Sequence, residues 1–135
     1  MGQEIVAGER VKFSKFVFMV LSWGMVACIV LQTMLAGMAI FDDPDHWSQH
    51  EMFVHFFEFL PLLMLIFAFT GKMPKGTKWS CLAIFVMIYL QYMTAHLPKA
   101  GAFHPVMALA LIVLALHVAL NASKRSGRRD AQALL

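Results

Sequence analysis

Residues 42–71 read DDPDHWSQHEMFVHFFEFLPLLMLIFAFTG, and from His50 to Thr70 they form an apolar segment of membrane length that carries His50, Glu51, His55 and Glu58. About 20 helical residues cross a hydrocarbon core roughly 30 Å thick, so the segment has the length of one span. A charge at the centre of such a span costs on the order of 2.5 to 3.5 kcal/mol, so each ionisable residue there needs a partner, a proton or a ligand. The start of the helix is legible as well. Asp43 is placed to cap it and Pro44 suits the first turn, where no amide donor is needed. His46 and His50 then occupy an amphipathic turn or two above the apolar core, and His55 lies about 7 Å below His50. Pro61 falls in mid-span, where it removes a backbone hydrogen bond and predicts a kink.

Working outward, three further apolar runs are long enough to span: residues 13–41, 79–96 and 105–122. The chain of 135 residues is 60% hydrophobic and 14% charged, far from the ordinary soluble balance of about 25% charged. The runs are apolar on every face, which argues against a barrel of alternating ten-residue strands. The expected fold is all-α: an integral membrane four-helix bundle, up-down-up-down, with residues 1–135 as a single transmembrane domain. Short connections containing Gly71, Pro74 and Gly76, and then Pro98 and Gly101, join antiparallel neighbours. Small residues at Gly24, Ala27, Cys28, Ala36 and Gly37 favour close helix contact on the first span. No internal repeat or low-complexity tract is evident. The first apolar run is longer than a secretory signal core and reads as an uncleaved span. Cys28 and Cys81 lie at different depths and read as packing residues rather than a disulfide.

Basic residues sort by segment. Arg10, Lys12 and Lys15 precede the first span, Lys72, Lys75 and Lys78 fill the second connection, and Lys124, Arg125, Arg128 and Arg129 follow the fourth span. Asp42, Asp43 and Asp45 fill the first connection, and Lys99 is the one charge of the third. Positive segments face the cytoplasm, so both termini are expected inside and the first and third connections outside. The basic tail is accounted for as a topology signal, and no nucleic-acid partner is expected. Trp47 and Trp79, at opposite span ends, read as interfacial anchors.

Polar residues of the spans gather toward the outer half: Gln32, His55, Glu58, Gln91, Tyr92 and His96, with His104 at the mouth of the fourth span. His117 alone belongs to the inner half and is expected to hydrogen-bond to a neighbouring helix. Glu51, His55 and Glu58 share one helical stripe, and Tyr89, Tyr92 and His96 share another. Facing these stripes inward would gather imidazoles from three spans around one cavity, which is how bundles build cofactor and metal sites.

Haem is the first ligand to consider. It needs imidazoles at matching depth, an apolar cleft and polar groups for its propionates. The preferred axial pair is His55 with His104, with His50 and His96 as substitutes; Glu58 is placed to accept a proton from His55, and Lys99 to meet a propionate at the rim. Cys-x-x-Cys-His is missing, so attachment would be non-covalent, as haem b. The eleven methionines scatter without a repeated spacing and read as packing rather than a copper site.

At LAGMAIFDDPDHWSQHEMFVHFFEFLPLLMLIFAF and AGAFHPVMALA the chain resembles a family of small four-span bacterial membrane proteins known only as a domain of unknown function. The resemblance centres on His50, His55, Glu58, Pro61 and His104 and implies a multi-pass protein of the bacterial cytoplasmic membrane. More distantly, in architecture, the chain is similar to haem-sequestering membrane proteins and small b-type cytochromes. That likeness implies haem b in the bundle, for sequestration, oxidative-stress defence or electron transfer, with oxidoreductase activity and a quinone or other redox partner among the expectations. Two other readings stand beside it. One is a divalent-metal or proton-coupled transport module using His55, Glu58, His96 and His104, with a homo-oligomer completing the pathway. The other is a non-catalytic membrane partner subunit whose polar groups satisfy one another across helices.

Overall fold

Backbone inside lipid has no water to bond to, so each apolar run must close its own hydrogen bonds as a helix. The computed structural model describes the backbone of residues 2–133 and the side chains of residues 3–126. Helix α1 spans Gly2–Phe41, α2 His46–Phe57, α3 Leu60–Thr70, α4 Lys75–His96 and α5 His104–Ala133, with a 3-10 turn at Ala100–Phe103. No strand occurs among the described residues. Helices α1, α4 and α5 outrun the apolar segments because helix does not stop where hydrocarbon does. Glu, Lys and Arg are good helix formers and carry it onward. At about 60 Å, α1 is twice the thickness of a hydrocarbon core, and its exposed first turns hold the Lys12–Glu9 ion pair at 3.0 Å. Arg128 and Arg129 lie outside the residues whose side chains are described.

The second span departs from expectation at its start. Its helix begins at His46, because the Asp43 carboxylate accepts the Asp45 amide at 2.9 Å and the Asp43 carbonyl accepts the His46 amide at 3.0 Å. Pro44 thus sits in a turn ahead of the helix rather than inside it. In mid-span the expected kink is a break between α2 and α3. Glu58 N–H still reaches the Val54 carbonyl at 2.9 Å, but Pro61 has no N–H to offer, and Leu62 and Leu63 both turn to the Phe59 carbonyl. At the turn into α4, Gly71 is needed for space: a Cβ there would come within 2.8 Å of the Phe67 carbonyl oxygen.

The four spans, counting α2 and α3 as one, close into a ring: α1 packs on α2 and α3, α3 on α4, α4 on α5, and α5 back on α1. Phe18, Met25, Met64, Ile84 and Cys81 are fully buried along its axis. The outward faces are equally apolar, with Leu109 67% and Val113 66% exposed, and Phe16, Val30, Ile66 and Phe69 each more than half exposed. Four helices are long and apolar enough to cross a membrane, at Gln3–Phe41, His46–Thr70, Lys75–His96 and Ala100–Ser126. A bundle that is apolar inside and outside takes the bilayer as its solvent, and the chain is a multi-pass membrane protein.

Candidate functional site

At the end of the ring opposite the termini, two histidines from different hairpins meet. The rings of His50 and His104 have centroids 6.4 Å apart and planes at 58°, and both side chains are half-buried. Trp47 meets His50 edge-on at 5.6 Å. Each imidazole is held from behind. His50 Nδ1 lies 3.0 Å from the backbone oxygen of Gln32 on α1, and the Gln32 amide donates to the His50 carbonyl at 2.7 Å. His104 Nδ1 lies 3.1 Å from the backbone oxygen of Gln91 on α4 and 3.3 Å from the Thr94 hydroxyl. That hydroxyl already donates to the Leu90 and Gln91 carbonyls, so toward His104 it accepts. With its nitrogen turned to α5, the Gln91 amide donates to the His104 carbonyl at 3.0 Å and also lies 3.1 Å from His104 Nδ1, while its oxygen accepts from Ala108 N–H at 2.9 Å; with that nitrogen already bonded to the carbonyl, the Gln91 backbone oxygen is the partner left for an Nδ1 proton. A carbonyl beside Nδ1 places the ring proton there and leaves the Nε2 lone pair for a ligand, the usual arrangement behind a metal-ligating histidine.

His55 stands in a different group. Tyr92 on α4 donates its hydroxyl to Glu58 Oε2 at 2.7 Å, and Glu58 Oε1 lies 3.3 Å from His55 Nδ1. The Tyr92 oxygen is itself 3.2 Å from that Nδ1, and the two rings stack with centroids 5.9 Å apart. The His55 side chain is 62% exposed and that of Glu58 only 21%, so the cluster lies on the outer surface of the ring, between α2 and α4. It can take up and pass a proton among imidazole, carboxylate and phenol. The stripe spacing anticipates the His55–Glu58 contact, and α4 adds Tyr92 to it.

The remaining candidates do not converge on either group. His96 is exposed and turns Nδ1 to the Tyr92 carbonyl of its own helix at 2.8 Å. Lys99 is exposed at the rim, in a left-handed conformation with φ 66° ahead of the 3-10 turn. His46 contacts Gln49 and Asp42. His117 accepts from Asn121 at 2.9 Å within α5, not from a neighbouring helix, and lines a separate cavity of about 230 Å³ at the terminal end with Thr77, Ser80 and Arg125. Among the described residues no three His, Cys, Asp or Glu side chains gather to hold a bare metal ion.

The two glutamines are the parts of the site that residue-type reasoning passes over, since a lone amide in an apolar helix reads first as an interhelical contact. A hexad identical at four of its six positions marks them: Leu31-Gln32-Thr33-Met34-Leu35-Ala36 and Leu90-Gln91-Tyr92-Met93-Thr94-Ala95.

Residues 32–101, just over half of the chain, match a family of unknown function, DUF6220, and the chain belongs to that family. The match begins at Gln32, takes in His50, His55, Glu58 and Gln91, and ends three residues short of His104. No curated protein and no solved structure matches the chain. The more distant likeness to haem proteins finds no support in these comparisons.

Proposed function

We propose that this chain is a haem b-binding membrane protein that holds its iron between His50 and His104. The observation that carries the reading is the pair itself: two imidazoles from opposite spans, each with Nδ1 set on a backbone carbonyl. With ring centroids 6.4 Å apart, the two imidazoles are near enough to serve one group between them. His50 and His104 would hold the group, and a pair of imidazole ligands suits haem iron.

One turn below each histidine, Phe53 and Met107 offer half-buried apolar surface, and Lys99 at the rim is the cation available to a propionate. When bound, haem supplies a one-electron couple, and filling both axial positions favours electron transfer or sequestration over oxygen chemistry. His55, Glu58 and Tyr92 then serve as the proton-exchanging group on the lipid side, where a quinone or other redox partner would approach.

The test is the visible spectrum of the full chain purified after expression with ample haem. A Soret band of six-coordinate, low-spin type is expected. H50A and H104A should each convert it to a five-coordinate form or abolish it, and H55A should retain it. Absence of the band, or a band indifferent to both His50 and His104, would overturn the reading and leave the partner-subunit account.

A further inference from the structure

We infer that the four spans are two copies of one helical hairpin, and that Gln32 and Gln91 are equivalent positioning residues, each orienting the histidine of its own half. The sequence alone shows little more than the shared hexad, and the structure shows why. What the halves share is which positions they bury.

At the offset of 59 residues that carries Gln32 to Gln91, each buried residue of α4 falls on a buried residue of α1: Cys81 on Ser22, Ile84 on Met25 and Ile88 on Ile29. At the offset of 54 that carries His50 to His104, buried Phe57, Pro61, Met64 and Ala68 fall on buried Leu111, Ala115, Val118 and Ala122. Exposed positions follow the same register, with Met52, Phe59 and Ile66 on Val106, Val113 and Leu120. The offsets differ because glutamine and histidine are 18 residues apart in the first hairpin and 13 in the second. The first connection is therefore five residues longer.

The ring of contacts obeys the same operation. A half-turn that moves the first span to the third and the second to the fourth maps each helix neighbour onto another observed neighbour. Both hairpins run in the same direction, so the pseudo-two-fold axis lies along the membrane normal. His50 and His104 come from the diagonal spans and touch across that axis. Their fastenings repeat as well: in each half the glutamine backbone oxygen faces histidine Nδ1, and the glutamine amide donates to the histidine carbonyl. The halves differ at the edges of this clamp: Gln91 Oε1 accepts from Ala108 whereas buried Gln32 Oε1 has no partner, and the Thr94 hydroxyl beside His104 Nδ1 is replaced by Leu35 in the first half. They differ again at the surface, where His55 and Glu58 stand at positions held by Leu109 and Ile112 in the second copy. The symmetric part of the molecule is thus the ligand pair, and the cluster on α2 and α4 is the addition.

The repeat stands without the haem reading; the consequence for iron rests on it. Two measurements separate them. In ligand-free full-length protein, ring nitrogen-15 resonances should show both His50 and His104 as the neutral Nδ1–H form, an observation that needs no variant. Q32M should then disturb the ring signals of His50 alone and Q91M those of His104 alone. In haem-loaded protein, both variants should keep the Soret band and move the midpoint potential in the same direction. Different tautomers at the two histidines, or a glutamine variant that disturbs both rings alike, would overturn the inference. Loss of haem with the tautomer pattern intact would overturn only the haem reading.

Discussion

Tyr92 is the residue on which the outer cluster depends. Its hydroxyl donates to Glu58 at 2.7 Å, and the carboxylate is mostly shielded while His55 is open. Hydrogen bonds to a charged group contribute about 1.5 to 3 kcal/mol, and leaving a shielded acceptor unpaired costs a similar amount. Y92F should therefore destabilise the protein by about 1 to 3 kcal/mol in an unfolding titration in detergent, and E58Q, which keeps an acceptor for the phenol, by less. Equal losses would mean that the charge on Glu58, not merely the acceptor it offers, carries the effect. The His55–Glu58 half of this cluster is legible in sequence because a three-residue step on a helix fixes who is adjacent to whom. Tyr92 is 34 residues from Glu58, and no local period relates them; the fold of α3 against α4 does. The histidine pair is harder still to read. His50, His55, His96 and His104 are alike in residue type and similar in depth, and what distinguishes His50 and His104 is a carbonyl from another helix behind each ring.

Among the elements, the broken second span ties local chemistry to the site. Pro61 leaves the Phe57 carbonyl without its usual donor, and the chain answers by ending α2 at Phe57 and restarting at Leu60. Glu58 is the first residue past that end, so the break sets where its carboxylate points. P61A would restore an amide to that turn and join α2 to α3. The expected outcome is slower amide hydrogen exchange across residues 58–62 together with a weaker Glu58–Tyr92 contact, read as a shift in the Tyr92 ring resonances. Unchanged exchange would mean that packing against α1 and α4, not proline, holds the break. The kink was predictable because proline acts through its own covalent structure. The helix start at His46 was not, because Asp43 competes for backbone amides with its side chain and its carbonyl, and which geometry wins depends on the α1 end it follows.

At the scale of the whole molecule, composition alone makes the membrane class readable, since 60% hydrophobic residues cannot all be buried in four helices. The repeat was not readable from residue identities. A bundle in lipid accepts almost any apolar side chain at a buried position, so two copies can diverge in sequence while keeping the buried register. Charge adds the remaining dimension. Lys72 and Lys75 are exposed at the terminal end of the ring, and Asp42, Asp43 and Asp45 are exposed at the other. If basic segments are retained in the cytoplasm, the histidine pair and the Tyr92 cluster both open to the outer side. Single cysteines read this directly in a C28S/C81A background, in intact cells treated with a membrane-impermeant maleimide. D43C and K99C should label, and K75C should label only after the membrane is permeabilised. The reverse pattern would place the site on the cytoplasmic face, where its redox or proton partners would be soluble proteins of that compartment. Because the two hairpins are parallel copies, one orientation applies to both, and labelling at position 43 should predict labelling at position 99 without exception.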